Sequence, residues 1–260
     1  MNHVAQPPFF KASFKVMAVS ITSALTPTEK WLLDLVNSQT ISTPSLVINS
    51  AEVQSILDLF TKYLPEAKLF YAVKANNTPA LLSYLADSGL SFDAASESEI
   101  LQLRSLGITP SRIILSNPVK SPSTINTFFD NGLNILTVDN SYDLQALHKA
   151  HSRRAKEEDL NVFIRIRIAA TDVQIDLNDK FGCIEAEAVE LINEVFNLGF
   201  KPRGIQFHVG TQSWNVYNYR VGVEASLRIF DIVKEKYGIK CDSINIGGGF
   251  PDPVMAKEAG

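Results

Sequence analysis

Short apolar runs alternate with amphipathic segments along most of the chain. Leu90–Ala95, Arg112–Ser116, Asn134–Val138, Asn161–Ile168, Gly204–Val209 and Ser243–Ile246 are rich in Ile, Val, Leu and Phe and too short for buried helices. Such runs predict strands of a parallel sheet covered on both faces. Leu69–Asn76 (LFYAVKAN) reads the same way, with Lys74 at its carboxyl end. Between the runs lie helical patterns at Ser50–Tyr63, Ala80–Asp87, Glu97–Leu106, from Ser121-Pro122 onward, Tyr142–Ala150, Glu185–Leu198 and Val221–Tyr237. In the first of these Val53, Ile56, Leu57 and Phe60 share one face. Start signals agree with that reading: Ser50, Thr78 before Pro79, and a Ser96/Glu99 capping box. Gly89, Gly107, Gly199 and Gly238 stand where the helical patterns stop.

Repeated strand–helix units without a dinucleotide fingerprint at the first turn predict an α/β barrel rather than an open nucleotide-binding sheet. Upstream, a strand is expected around Phe14–Ile21, a helix at Thr28–Asn37 and a strand at Thr43–Ile48. The stretch before Glu29 carries no acidic residue, as a targeting peptide would, but it has no arginine and Val16–Leu25 lacks a clear cleavage pattern, so a folded segment is preferred. The chain stops at a polar tail soon after the Ser243–Ile246 strand, with no helix to cover it.

Composition narrows the function classes. With 24 basic and 28 acidic residues in 260, the net charge of −4 offers no basic surface for nucleic acid or acidic membranes. No apolar run is long enough for a membrane span. The two cysteines, Cys183 and Cys241, match no metal spacing and fit a reducing compartment such as the cytoplasm.

In α/β barrels reactive groups sit at the carboxyl ends of the strands. Those positions hold Lys74, Asp93, Asn117, Asp139, Arg165 or Arg167, His208 and Gly247-Gly248-Gly249. A lysine at a buried strand end has two readings: a side chain that snorkels into water, or a desolvated amine able to form a Schiff base with a carbonyl. Asp93 is the natural carboxylate to tune it. Three glycines straight after a strand suit an anion cradle, to which Gly210-Thr211 adds a hydroxyl and an N–H. His208 sits where an imidazole can lie flat on an aromatic ring. Arg165 and Arg167, two residues apart, are expected to share a strand face.

Six motifs then occur in a familiar order: Tyr-Ala-Val-Lys-Ala-Asn (71–76), Phe-Asp-Ala-Ala-Ser-Glu-Ser-Glu (92–99), Ser-Asn-Pro-Val-Lys (116–120), Lys-Phe-Gly (180–182), Phe-His-Val-Gly-Thr-Gln (207–212) and Ile-Gly-Gly-Gly-Phe-Pro (246–251). With them the chain resembles the ornithine/diaminopimelate/arginine decarboxylases of the alanine-racemase-like fold, and among these the ornithine branch most. The resemblance implies pyridoxal 5'-phosphate as cofactor, held covalently by Lys74. Asp93 and Glu99 support the lysine and cofactor, Arg165 lies near it, His208 stacks on its ring, and Thr211 with Gly247, Gly248 and Gly249 binds its phosphate. Lys74, Asp93 and His208 are the expected catalytic residues.

The same resemblance implies decarboxylation of a basic amino acid, most of all ornithine to putrescine, by a homodimer. Diaminopimelate decarboxylation or a non-catalytic regulatory role are its alternatives. The implied fold is an incomplete (β/α)8 barrel of the TIM type. The family's Glu-Pro-Gly-Arg strand and the β-domain beyond it are not found in this sequence. The chain therefore reads as a fragment, with residues 1–43 belonging to the β-domain side and 44–260 forming the barrel.

Overall fold

The computed structural model describes residues 27–38, 47–154, 159–178 and 180–251. The expected Phe14–Ile21 strand lies outside these residues, as does the start of Thr43–Ile48, whose last residues are not in a strand. The chain divides into two compact units, Met1–Pro65 and Glu66–Gly260. The first contains helices α1 (Pro27–Asn37) and α2 (Ser50–Tyr63). Asn49, not Ser50, caps α2, its side-chain oxygen accepting from the Ala51 N–H at 3.0 Å.

The second unit is a seven-stranded parallel sheet in strictly sequential order: β1 (Phe70–Ala72), β2 (Ser91–Ala94), β3 (Ile113–Leu115), β4 (Ile135–Val138), β5 (Asn161–Arg165), β6 (Lys201–Gln206) and β7 (Ser243–Asn245). Helices α3 (Pro79–Asp87), α4 (Glu97–Ser105), α5 (Pro122–Asp130), α6 (Ser141–His151), α7 (Glu185–Asn197) and α8 (Tyr217–Tyr237) connect successive strands. Order that never reverses is the winding of a barrel, not of a doubly wound sheet. Among the described residues β1 and β7 are not paired with each other, so the barrel is incomplete, as the sequence implied.

Register explains the composition of the strands. Ala94, Leu115, Leu136 and Val162 lie side by side, as do Val138, Ile164, Ile205 and Ile244. This face is apolar and packs under the helices; α4, α6, α7 and α8 each contact a strand. The opposite face carries Asp93 beside Ile114, Thr137 beside Phe163, and Arg165 beside Gln206 and Asn245. The strands are therefore not uniformly apolar; every second side chain on the inner face is available for chemistry.

Local starts and stops follow short-range chemistry. Ser121 accepts from the Thr124 N–H at 3.1 Å and Asn140 from the Asp143 N–H at 2.9 Å, so α5 and α6 begin there. The Ser96 hydroxyl accepts from the Glu99 N–H at 3.4 Å, but the Glu99 carboxylate reaches the Ala95 N–H at 2.7 Å, one residue earlier than a capping box requires. Thr78 makes no capping bond; Asn76 accepts from the Thr78 N–H instead. Strand β6 begins at Lys201, earlier than expected, and Pro202 is tolerated inside it at the irregular pairing with β5.

Helix α8 approaches the sheet through a glycine. A Cβ on Gly222 would lie 2.4 Å from the ring of Phe207, which is fully buried. Helix propensity alone favours alanine over glycine by about 1 kcal/mol. We expect the opposite for Gly222→Ala: overpacking against Phe207 destabilises the chain by roughly 1–3 kcal/mol, read from urea denaturation midpoints.

Candidate functional site

The site forms at the carboxyl ends of the strands. Strand β1 stops at Ala72, and Val73–Ala75 form a single 3-10 turn, so Lys74 stands on that turn and not in the strand. It is exposed at the rim, the first of the two positions that a lysine at this strand end could take. Asp93 on β2 is half-buried and accepts a short hydrogen bond from the Ser116 hydroxyl at the end of β3. Burial pushes its carboxyl up to about 6; the Ser116 hydrogen bond and the Lys74 ammonium oppose that shift, and the Glu99 carboxylate adds to it.

Arg165 ends β5. Burial lowers its pKa, while Asp139 and Asp93 oppose the shift, and its guanidinium lies 4.9 Å from the centre of the Phe181 ring. Asp139, after β4, accepts from the Gly182 N–H at 2.9 Å, which fixes the Lys-Phe-Gly segment over Arg165. Arg167 does not share that environment. The strand ends at Arg165, the Arg167 N–H donates to the Cys183 carbonyl at 3.0 Å, and its side chain is exposed. Burial still alternates, with Ile166 and Ile168 buried and Arg167 exposed, so Arg167 lies further out along the chain from Arg165.

His208 follows β6 and is half-buried. Burial, then the charges of Arg165 and Lys74, lower its pKa to about 4, so it is neutral above that pH. Its Nδ1 accepts from the Gly210 N–H at 3.0 Å, which leaves the proton on Nε2. Seven parallel strands in sequential order curl toward a barrel, so the carboxyl ends of β1 and β6 open on one mouth.

The glycines after β7 fit an anion cradle, but not uniformly. Gly247 and Gly249 have φ of +68° and +85°. A Cβ on Gly247 would lie 2.4 Å from the Phe207 carbonyl oxygen, and one on Gly249 2.0 Å from the Gly210 carbonyl oxygen. No side chain fits either position, so bare backbone lines the rim beside His208. The Gly247 N–H is already given to Asn245 Oδ1 at 2.9 Å. Among the described residues that leaves the Gly248 and Gly249 amides of this run to offer to a ligand. Thr211 is limited similarly. Its N–H donates to the Ile175 carbonyl at 3.0 Å and its carbonyl accepts from the Gln174 N–H at 2.9 Å, leaving the hydroxyl as its contribution. Asn117 serves local structure, donating to the Ala95 carbonyl at 3.2 Å.

Sequence reasoning missed Ser116, named only within a motif, and Lys120 as a structural clamp. Lys120 is half-buried, donates to the Pro118 carbonyl at 2.9 Å and to the Thr137 carbonyl, and has a pKa lowered by desolvation to about 8. Gln206 was also missed: its Oε1 is buried without a hydrogen bond among the described residues, beside Arg165 in the register. The signal for Ser116 and Gln206 lay in strand parity, since both fall on the inner face with Asp93 and Arg165. Among the described residues no group of three or more His, Cys, Asp or Glu could hold a metal ion, and no helix is long and apolar enough to cross a membrane.

The Asp93 shift carries a sign that is open to test. With a folded-state pKa near 6 against an ordinary 3.8, the folded chain binds more protons than the unfolded one between those values, so stability falls as pH rises through that window. Asp93→Asn removes the ionisation. In the cofactor-free chain we expect the variant to match the parent near pH 4 and exceed it at pH 7.5 by about 3 kcal/mol at most. Urea denaturation at the two pH values checks both the sign and the window.

Comparison with known proteins agrees with this geometry. Residues 50–259 match the family model described as pyridoxal-dependent decarboxylase, pyridoxal binding domain. A lysine/ornithine decarboxylase of Selenomonas ruminantium is 35% identical over 213 residues, 82% of this chain and 52% of that protein. An antizyme inhibitor 2 of Xenopus laevis is 34% identical over 200 residues, 76% of this chain and 42% of that protein. The crystal structure of the arginine decarboxylase of Paramecium bursaria Chlorella virus, bound to agmatine, superposes with a TM-score of 0.78 at 29% identity, covering 85% of this chain and 58% of that one. The chain thus spans about half the length of the curated relatives it matches. With residues 50–259 matched by that model and relatives above 30% identity over most of its length, the chain belongs to the pyridoxal-dependent decarboxylase family.

Proposed function

We propose that this chain supplies the cofactor-binding half of a pyridoxal phosphate-dependent decarboxylase acting on a basic amino acid, with L-ornithine to putrescine as the preferred reaction. The observation that carries the reading is that Lys74, Asp93, Arg165 and His208 all stand at or just beyond the carboxyl ends of strands β1, β2, β5 and β6 of one sequential parallel sheet. Pyridoxal phosphate, when bound, supplies the electron sink that lets an amino acid lose its carboxylate as CO₂. The chain's own residues hold and orient that chemistry.

Lys74 is the amine that holds the cofactor's carbonyl carbon. To react it must shed a proton, and Asp93, whose carboxyl feels the Lys74 charge and has a pKa near 6, would serve as the acceptor. Ser116 holds the Asp93 carboxyl in position. His208, neutral and oriented by the Gly210 N–H, offers a flat uncharged face on which a pyridine ring can lie. Arg165 brings positive charge to the same mouth. The Thr211 hydroxyl and the Gly248 and Gly249 amides face the phosphate. Relatives named for lysine/ornithine and arginine decarboxylation support the substrate class. Within it, ornithine rests on the Phe-Asp-Ala-Ala-Ser and Gly-Gly-Gly-Phe-Pro motifs. We further propose that the working form is a cytoplasmic homodimer.

A regulatory reading is favoured by one observation, the 34% identity to a protein named an antizyme inhibitor. An absorbance spectrum separates the two. The purified chain mixed with pyridoxal phosphate should develop a visible band that borohydride abolishes, with the label mapping to the peptide containing Lys74. Lys74→Ala should show neither band nor label. A folded wild-type chain with no band would overturn the cofactor assignment and favour the regulatory reading. Release of CO₂ from ornithine, lysine and arginine, assayed in parallel, ranks the substrates; turnover by these 260 residues alone is expected to be slow.

A further inference from the structure

Tyr219 lies in the first turn of α8, outside every motif that identifies the family, yet it touches the glycine rim. Its hydroxyl donates to the Gly248 carbonyl at 3.1 Å. Its ring stacks on Phe250, centroids 5.3 Å apart and planes 13° from parallel. From the other side of the loop, the Ser213 N–H donates to the Gly249 carbonyl at 2.8 Å. Two consecutive carbonyls are thus captured, one by a side chain and one by backbone.

The consequence follows from peptide planarity. In a trans peptide the C=O and N–H point in opposite directions. Drawing the Gly248 carbonyl toward the Tyr219 hydroxyl turns the Gly249 N–H away from Tyr219. The capture of the Gly249 carbonyl by Ser213 fixes the next peptide, and with it the Phe250 N–H, in the same way. This matters because glycines at positive φ have many accessible conformations and do not orient their own amides. The Gly247 N–H is bound to Asn245, so the cradle depends on those that remain.

Tyr219 is suited to this task. Its hydroxyl pKa is pushed up to about 12 by burial, so it stays a donor throughout the pH range in which the chain is folded. The stack on Phe250 leaves the ring few orientations. The helix that presents it is tied to the rest of the mouth. Asn218, the preceding residue, is buried, accepts from the Thr171 N–H at 3.1 Å and donates to the Thr171 carbonyl at 2.7 Å and to Ser213 Oγ at 2.9 Å. Tyr219 and Ser213 are therefore held on one rigid corner.

We propose that Tyr219 is a positioning residue that orients the Gly249 amide toward the phosphate of the cofactor. This deepens the proposed function and rests on it, since it presumes that the glycine rim receives a phosphate.

Tyr219→Phe tests it, because the substitution removes the hydroxyl and keeps the stacking ring. The probes are pyridoxal 5'-phosphate and pyridoxal, which share an aldehyde and ring but differ in the phosphate. Both are titrated into the full 260-residue chain by absorbance, with borohydride trapping as a second readout. Loss of one well-aimed amide to a charged acceptor should weaken pyridoxal phosphate binding roughly tenfold, while pyridoxal binding changes by less than about twofold. Tyr237→Phe, on the same helix with its hydroxyl on the exposed Glu190, is the control and should move neither. Circular dichroism establishes that each variant is folded. If Tyr219→Phe weakens both ligands equally, the residue is merely structural and the proposal fails. An unchanged ratio of the two affinities overturns it as well. If the wild-type chain prefers neither ligand, the phosphate reading of the rim fails first, and that result is distinct from the other two.

Discussion

Alternation along parallel strands is the constraint on which this structure depends. Each strand must satisfy two opposed environments, a helix layer outside and a mouth inside, and period-two geometry assigns its residues between them. Ile164, Ile205 and Ile244 form one continuous apolar row under the helices, while their neighbours Arg165, Gln206 and Asn245 form a polar row on the other face. The slip of one residue would exchange these rows and bury an arginine under α7. Helix packing thus fixes the register, and the register in turn aims the polar side chains.

Gathering polar groups at the mouth carries an electrostatic cost, and the site's protonation states result from it. Burial is the leading cause of the shifts at Asp93, Arg165 and His208 alike. At Asp93 and Arg165 opposite charges partly offset it; at His208 the neighbouring cations add to it. The outcome is a carboxyl that titrates near 6 beside an exposed lysine, and an imidazole that stays neutral at physiological pH. An acid poised to exchange a proton and a ring that carries no charge are different requirements, met here by one desolvated environment with different neighbours.

Much of this was legible in the sequence because short-range chemistry dictates it. Ser121, Asn140 and the terminal glycines act within a turn of themselves, so the helices lie close to where their patterns place them. Strand ends were less legible. LFYAVKAN reads as one strand, but the chain turns at Val73, and the turn lifts Lys74 to an exposed rim. Arg165 and Arg167 are indistinguishable by spacing, yet β5 ends at the first, and beyond it the backbone also bridges to Cys183, leaving Arg167 exposed. Such outcomes depend on contacts between residues far apart in the chain, which periodicity does not contain.

The glycine rim shows the same division at finer scale. Three glycines after a strand mark a place where backbone approaches a ligand, and the clashes that a Cβ would make with the Phe207 and Gly210 carbonyls give the physical reason for two of them. Which amides face outward is decided elsewhere: by Asn245 taking the Gly247 N–H, by Ser213 taking the Gly249 carbonyl, and by Tyr219 reaching over from α8 to the Gly248 carbonyl. A motif supplies permissive backbone, and the surrounding fold selects one of its conformations. Glycine-rich loops in a barrel mouth therefore cannot be understood from the glycines alone, since their direction is set by the donors and acceptors that hold their unused groups.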